Sequence, residues 1–317
     1  MHVTPLPEIA FGVTIYDIDL TDLNAGTWSS IESAFNEHGL LVFPGQHLDA
    51  DAQAVFAQRF GPLQGEASQA HSITNRRKDN SVLTETDDTW LTLSYPTQYW
   101  HADGTFGKVP PNVCMLGAAS IVSEGGQTGF ADMTAAYEAL DTPTKDKIAD
   151  LAAYHSNLAG SMRVHSKQNR EYLYSLVGDE AVDGHYGLHM SVECPLRPLT
   201  RKHPVTGRTS LFLGRHTFGI PGMSLEEGNA LLRNLEDFAC QPPRVFEHDW
   251  QLGDLVVWDN LRLLHRARPY NEQDERRILL NCRVAGNPET DSGLESEAAK
   301  HSAEVQRAEI KRLLELD

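Results

Sequence analysis

The amino-acid sequence predicts an α+β fold, an antiparallel sheet sandwich or jelly roll with flanking helices. Three observations predict it. Strand-type apolar runs recur along the chain. Helical patterns concentrate near the start and between those strands. The regular strand–helix–strand alternation of a doubly wound parallel sheet is missing. With 317 residues, 40% apolar and 22% charged, the chain can bury a substantial core.

The elements follow in order. "FGVTIYDIDL" reads as a strand. "TWSSIESAFNEHG" has helical apolar spacing and ends at Gly39, a C-capping glycine. "LLVFPGQ" is a short buried strand stopped by Pro44-Gly45. "DADAQAVFAQRFG" is a second helix, closed at Gly61. Residues 64–100 are polar and weakly periodic, as in "QAHSITNRRKDNSVLTETDD", and are expected to form a long functional loop or lid. "NVCMLGAASIV" is a strand and "GGQTGFAD" a turn after it. "MTAAYEALD" and "TKDKIADLAAYHS" are two short helices. An irregular stretch is expected from Asn157 to Leu188. "SLEEGNALLRNLEDFA" is a helix, with Ser224 and Glu227 as a capping box. "RVFEHDW", "DLVVWDN" and "RRILLNCRV" are strands. Residues 293–316 carry a charged helix that packs on the surface or on another subunit.

The bulk numbers exclude several classes. A net charge of −17 repels polyanions and argues against sequence-independent nucleic-acid binding. None of Cys114, Cys194, Cys240 and Cys282 forms a C-x-x-C pair, so they read as reduced core residues rather than zinc ligands. No signal peptide is visible, and no segment is apolar enough to span a bilayer. The expectation is a cytoplasmic protein with no membrane or nucleic-acid partner, either monomeric or a homo-oligomer.

One short stretch carries chemistry. "YWHADGTF" places His101 and Asp103 two residues apart, a spacing that on a strand sends both side chains to one face. Two histidines and one carboxylate on one side of an ion, with the other side open, make the site of a non-haem Fe(II) oxygenase. By itself the pair is weak, since composition of this kind yields about one His-x-Asp by chance. Far downstream, "GDLVVWDNLRLLHRARPYNEQDERRILLNCRV" supplies His265 on a strand. Arg276-Arg277 then opens another strand, where an arginine can hold a dicarboxylate by a two-pronged ion pair. Singly, these residues are as readily a core histidine and a solvated charge pair; their order and combination point to a metal site.

Here the sequence resembles the taurine/dichlorophenoxyacetate dioxygenases, which use Fe(II) and 2-oxoglutarate. The resemblance covers most of the chain and includes "LLVFPGQ", "FAQRFGPL", "WHADGTF", "GGQTGFADMTAAYEAL" and "GDLVVWDNLRLLHRA". "HPVTGRTSLFLGRH", "FACQPPRV" and "RVAGNPET" make it similar to the aryloxyalkanoate (phenoxypropionate-type) branch. The resemblance implies one domain over residues 1–317 with a double-stranded β-helix (jelly-roll) core. It makes His101, Asp103 and His265 the iron ligands, and Thr128 and Arg277 the 2-oxoglutarate contacts, with Arg276 the alternative that the spacing leaves open. The taurine enzymes' second arginine falls at Asn281, which argues against taurine. Arg283 matches an arginine of the phenoxypropionate type and is a candidate for a substrate carboxylate, or for a structural ion pair. Tyr99, His216 and His71 are further substrate candidates; Tyr99, Trp100 and Phe106 could wall the site, while Trp258 reads as core.

The implied activity is hydroxylation or oxidative cleavage of a small carboxylate, with an aryloxyalkanoate as one candidate. 2-Oxoglutarate and O2 are consumed, and succinate and CO2 released. Asp103 argues against halogenation, since halogenating relatives carry a small residue there. Two alternatives stay open: a tailoring hydroxylase of an amino acid or secondary metabolite, and a non-catalytic sheet protein.

Overall fold

A computed structural model describes residues 1–65, 70–84, 87–177 and 193–316. Its largest sheet has seven strands. In spatial order they are His2–Pro5, Val13–Tyr16, Leu40–Phe43, Leu255–Asp259, Val113–Ser120, Ile278–Val284 and His71–Thr74. Every neighbouring pair is antiparallel except Val13–Tyr16 with Leu40–Phe43. A second, three-stranded antiparallel sheet runs Val245–His248, Thr128–Asp132, Leu263–Ala267.

The central strands are buried on both faces, which is why they read as near-continuous apolar runs. Alternate side chains divide between two cores. Val113, Met115, Leu255 and Val257 point to the helices Ala25–His38 and Ala50–Ala57, where they meet Ile31, Phe35 and Phe56. Cys114, Leu116, Val256 and Trp258 point the other way and meet Phe130 and Leu263 of the second sheet. The Phe130 and Trp258 rings lie edge to face, 5.5 Å apart. Each buried side chain of this size contributes about 1.5–3 kcal/mol, so both cores lock the register of the strands that carry the site.

Several expected elements form as read. The first helix starts on the Asn24 side chain and ends at Gly39, whose φ of 73° needs a residue without Cβ strain. The Ser224/Glu227 capping box is present at the head of Leu225–Ala239. All four cysteines are free and buried. No helix among the described residues is long and apolar enough to cross a membrane.

Other expectations are corrected. "GGQTGFAD" is no mere turn: Thr128–Asp132 is the central strand of the second sheet, buried at every residue. "TKDKIADLAAYHS" splits into the helix Thr142–Ile148 and the strand Ala152–His155, because Tyr154 and His155 find backbone partners in Leu196–Pro198 and Thr217–Phe218. The stretch expected to be irregular from Asn157 is helical over Asn157–Val164 and Lys167–Val177. Ser156 caps the first helix, and Leu158, Met162 and Leu173 pack with Ile310 and Leu313. Residues 178–188 lie outside the described residues.

Residues 64–100 include the edge strand His71–Thr74 and two short helical turns, Trp90–Ser94 and Pro96–Gln98. At the other end of the chain, Glu297–Lys300 and Ser302–Glu315 are helical. The longer one docks inside this chain: fully buried Glu309 accepts from Asn229 and from both Nε and NH2 of Arg312.

Candidate metal centre and substrate cavity

His101, Asp103 and His265 converge. Their ligand atoms all lie within 4.8 Å of one another, and all three residues are buried. Asp103 Oδ1 is 3.7 Å from Nε2 of each histidine.

The convergence is not a matter of strand alternation. His101 forms an isolated bridge with His265: its N–H donates to the His265 carbonyl at 3.0 Å, and His265 returns the bond at 2.8 Å. The chain then turns through Asp103, where Asn260 pins it. The Asn260 Oδ1 accepts from the Asp103 N–H at 2.8 Å, and its Nδ2 donates to the carbonyls of Asp103 at 3.0 Å and Pro111 at 2.8 Å.

The protonation states suit a cation. His101 Nδ1 lies 2.8 Å from the Tyr99 carbonyl and can only donate to it, which leaves the Nε2 lone pair facing the cluster. Burial, reinforced by His265 and Arg215, pushes the His101 imidazolium well below its ordinary range. Burial also lowers His265 to about 4, against the pull of Asp103. Both rings are therefore neutral ligands at neutral pH. Burial alone would raise the Asp103 carboxyl, but the Arg283 guanidinium bonded to it outweighs that and holds it below the usual carboxylate range. Two neutral imidazoles and one carboxylate oxygen fit a divalent first-row ion such as Fe(II).

The cluster opens into a cavity whose walls include Phe106, Thr128, Arg215, His216 and Trp258. Arg277, Leu279, Asn281 and Arg283 all face it from one strand and its entry, although the pairing shifts register between Ile278 and Leu279. Arg277 and Thr128 are brought together: NH2 of Arg277 donates to the Gly126 carbonyl at 2.7 Å and approaches Thr128 Oγ1 at 3.5 Å. Trp250 Nε1 donates to the same hydroxyl at 3.0 Å. Arg276 is turned to solvent, whereas Arg277 is buried and lines the cavity.

The remaining candidates divide. His216 lines the cavity, with Phe106 edge to face at 4.9 Å. Tyr99 does not line it. The residue is 37% exposed and its hydroxyl meets Tyr95, while its carbonyl orients His101. His71 is exposed and outside the lining, to which the same edge strand contributes Ile73 instead. Trp100 is core, stacked under Arg266 at 4.2 Å. Trp258, read as core, both packs there and lines the cavity, 4.7 Å from the His265 ring.

Sequence reasoning missed Arg215. Its guanidinium is buried, with NH1 donating to Asn157 Oδ1 at 3.3 Å and Ser161 Oγ at 3.1 Å, and NH2 meeting His216 Nε2 at 2.8 Å. Nε has no partner, and no carboxylate among the described residues pairs with it. Burial pulls its pKa down to about 9. A signal for it exists: a lone arginine inside the apolar run "LFLGRHTFGI" has no inexpensive route to solvent.

Similarity to known proteins agrees with this geometry. The sequence profile of the family described as "Taurine catabolism dioxygenase TauD, TfdA family" matches residues 2–283. The chain belongs to the TauD/TfdA dioxygenase family. This TauD/TfdA dioxygenase is 42% identical over 293 residues to an (S)-phenoxypropionate/alpha-ketoglutarate-dioxygenase of Sphingobium herbicidovorans, covering 92% of this chain and 97% of that one. It is 32% identical to an alpha-ketoglutarate-dependent 2,4-dichlorophenoxyacetate dioxygenase of Cupriavidus pinatubonensis, covering 84% and 92% of the two chains. The crystal structure of AAD-2 in complex with Mn(II) and N-oxalylglycine superposes with a TM-score of 0.79 at 33% identity, covering 93% of this chain and 100% of that one. The TauD/TfdA dioxygenase described here is accordingly an Fe(II)- and 2-oxoglutarate-dependent enzyme.

Proposed function

We propose that this dioxygenase oxidises a small carboxylate of the aryloxyalkanoate class, with 2-oxoglutarate as co-substrate, on a single jelly-roll domain. One observation carries the reading. Two buried cavity arginines, Arg215 and Arg277, hydrogen-bond only to neutral groups among the described residues, with Asp103, Glu236 and Glu272 acting on them from beyond ion-pair distance, so each can take an anion. They share no partner and therefore offer two separate carboxylate seats.

His101, Asp103 and His265 would hold the iron. Held there beside 2-oxoglutarate, an iron ion would supply O2 activation for oxidation of a C–H bond, with succinate and CO2 as co-products. Arg277 and Thr128 hold the far carboxylate of 2-oxoglutarate. Arg215, braced by Asn157, Ser161 and His216, holds the substrate carboxylate and so fixes which carbon faces the metal. Phe106, Leu279 and Trp258 present apolar surface for the rest of the substrate and exclude water. Hydroxylation at a carbon bearing an aryloxy oxygen gives a hemiacetal, which collapses to a phenol and an oxoacid.

The described parts of the expected lid, residues 70–84 and 87–100, cover the cavity in this reading, with Ile73, Thr92, Ser94 and Thr97 in its wall. Three contacts fasten their second half: Trp90 to Glu272, Tyr172 to Asp88, and His165 to the Leu91 carbonyl. A cytoplasmic setting is supported by the four free thiols and the lack of a membrane-crossing helix among the described residues. The strongly negative net charge supports a small-molecule partner over a nucleic acid. The named phenoxyalkanoate relatives favour this substrate class over a secondary-metabolite tailoring role.

The test is succinate release above the substrate-free background for a panel of aryloxyacetates, both enantiomers of aryloxypropionates, N-acyl amino acids and sulfonates. Aryloxyalkanoates are expected to stimulate release most. Stimulation by N-acyl amino acids alone, or by no carboxylate, would overturn the substrate class.

A further inference from the structure

Of the three arginines that line the cavity among the described residues, Arg283 is unlike the other two. Its Nε donates to Asp103 Oδ2 at 2.7 Å, on the oxygen opposite the one that faces the two histidines. We infer that Arg283 is a positioning residue that restricts Asp103 to a one-oxygen ligand, rather than a seat for the substrate carboxylate. The inference rests on the metal assignment proposed above.

The geometry gives the reason. Asp103 Oδ1 is equidistant from the two imidazole Nε2 atoms, 3.7 Å from each. Oδ2 is turned away from them and occupied by a charge-assisted hydrogen bond, the stronger kind. Arg283 reaches it from the sheet directly, because it is the cross-strand partner of Cys114 on Val113–Ser120 and shares its face with Asn281 and Leu279. Asn260 fixes the Asp103 backbone independently, so the side-chain torsion is the remaining freedom, and Arg283 restrains it by the one charged contact, beside the weaker Cys114 thiol.

The consequence concerns open positions. A six-coordinate ion held by three one-point protein ligands would keep three positions, which a two-point co-substrate and O2 would fill. A carboxylate free to bind through both oxygens would take one of them. Arg283 thus protects the coordination site that the reaction requires. It also supplies the counter-charge for a buried carboxylate when no cation is present.

The experiment compares wild type, Arg283→Gln and Arg283→Lys loaded with Mn(II), using water-proton relaxation to count exchangeable waters on the ion and calorimetry to follow N-oxalylglycine. Single-site Mn(II) binding by wild type is read first; its absence would overturn the metal site itself. With Mn(II) bound, wild type should hold about three waters and Arg283→Gln about two. Arg283→Gln should bind N-oxalylglycine about tenfold more weakly. Arg283→Lys, which keeps one charged donor, should recover most of both. A wild-type water count and wild-type N-oxalylglycine affinity in Arg283→Gln would overturn the role of Arg283 alone. If Arg283→Gln fails to fold, the neutral Arg283→Met takes its place: a lost water at unchanged melting temperature upholds the role, and a wild-type water count overturns it.

Discussion

His101 and His265 are bound to each other through the backbone, each donating its N–H to the other's carbonyl. Their imidazoles consequently leave the same side of the ladder, with ring centroids 4.1 Å apart. Residues separated by more than half the chain are thereby set in register by two main-chain hydrogen bonds. Asp103 needs only one turn of chain, held by Asn260, to complete the set.

Asn260 is therefore expected to matter more than a buried asparagine usually does. Asn260→Ala leaves the Asp103 amide and two carbonyls without partners, at about 1–3 kcal/mol each before relaxation. The expected outcome is a clear drop in melting temperature together with weaker Mn(II) or Fe(II) binding by calorimetry. Destabilisation with unchanged metal affinity would show that Asp103 does not depend on it.

The two carboxylate seats can be separated kinetically. Arg277→Ala should raise KM for 2-oxoglutarate, and Arg215→Ala should raise KM for the carboxylate substrate, each by about 2–4 kcal/mol or roughly 30-fold and more. Cross effects should be small, because the two guanidinium groups share no partner. If Arg215→Ala weakens only the co-substrate and leaves the carboxylate substrate unaffected, the substrate seat lies elsewhere.

Metal removal gives a direct readout. Anaerobic Fe(II) and 2-oxoglutarate should produce a weak visible charge-transfer band in wild type, lost on chelation and restored by added Fe(II). His101→Ala should lack the band. A band unchanged in that variant would remove His101 from the ligand set.

His155 predicts a pH dependence of stability. It is buried against Phe212, its two ring nitrogens have no partner among the described residues, and burial lowers its pKa well below 6.5. The unfolded chain takes up its proton first as pH falls, so stability is full above about 6.5 and declines below it, by up to about 1.4 kcal/mol per pH unit. His155→Phe should show a shallower decline in denaturant midpoint between pH 6.5 and about 5. Equal slopes for the two proteins would mean that His155 does not carry the effect.

The C-terminal helix should be integral to stability. Glu309→Ala leaves buried Asn229 and half-exposed Arg312 without their acceptor, and is expected to cost about 1–3 kcal/mol by chemical denaturation. A change below about 0.5 kcal/mol would place the helix among dispensable surface elements.

Much of this molecule was legible in its sequence, for local reasons. Gly39, Ser224 and Glu227 act on chain within a turn of themselves, and the apolar runs around Val42, Met115 and Val257 mark central strands because both their faces are buried. The pairing of His101, Asp103 and His265 was legible as a pattern of residue types, and the family resemblance assigned them. What the residues could not say alone is which side chains share a space. Tyr99 lies within the motif and His71 on an edge strand well before it, yet both are outside the cavity, because a helical turn's end and a sheet edge turn them to solvent. Arg215, more than a hundred residues from His101, lies inside it, because Thr217–Phe218 pairs with Ala152–His155 and carries the preceding loop to the metal cluster. Arg283 was legible as a charge near the site; only folding decided that the charge meets Asp103. Ligand types follow from chemistry that each residue carries with it, whereas partners follow from long-range packing, and no local rule encodes that.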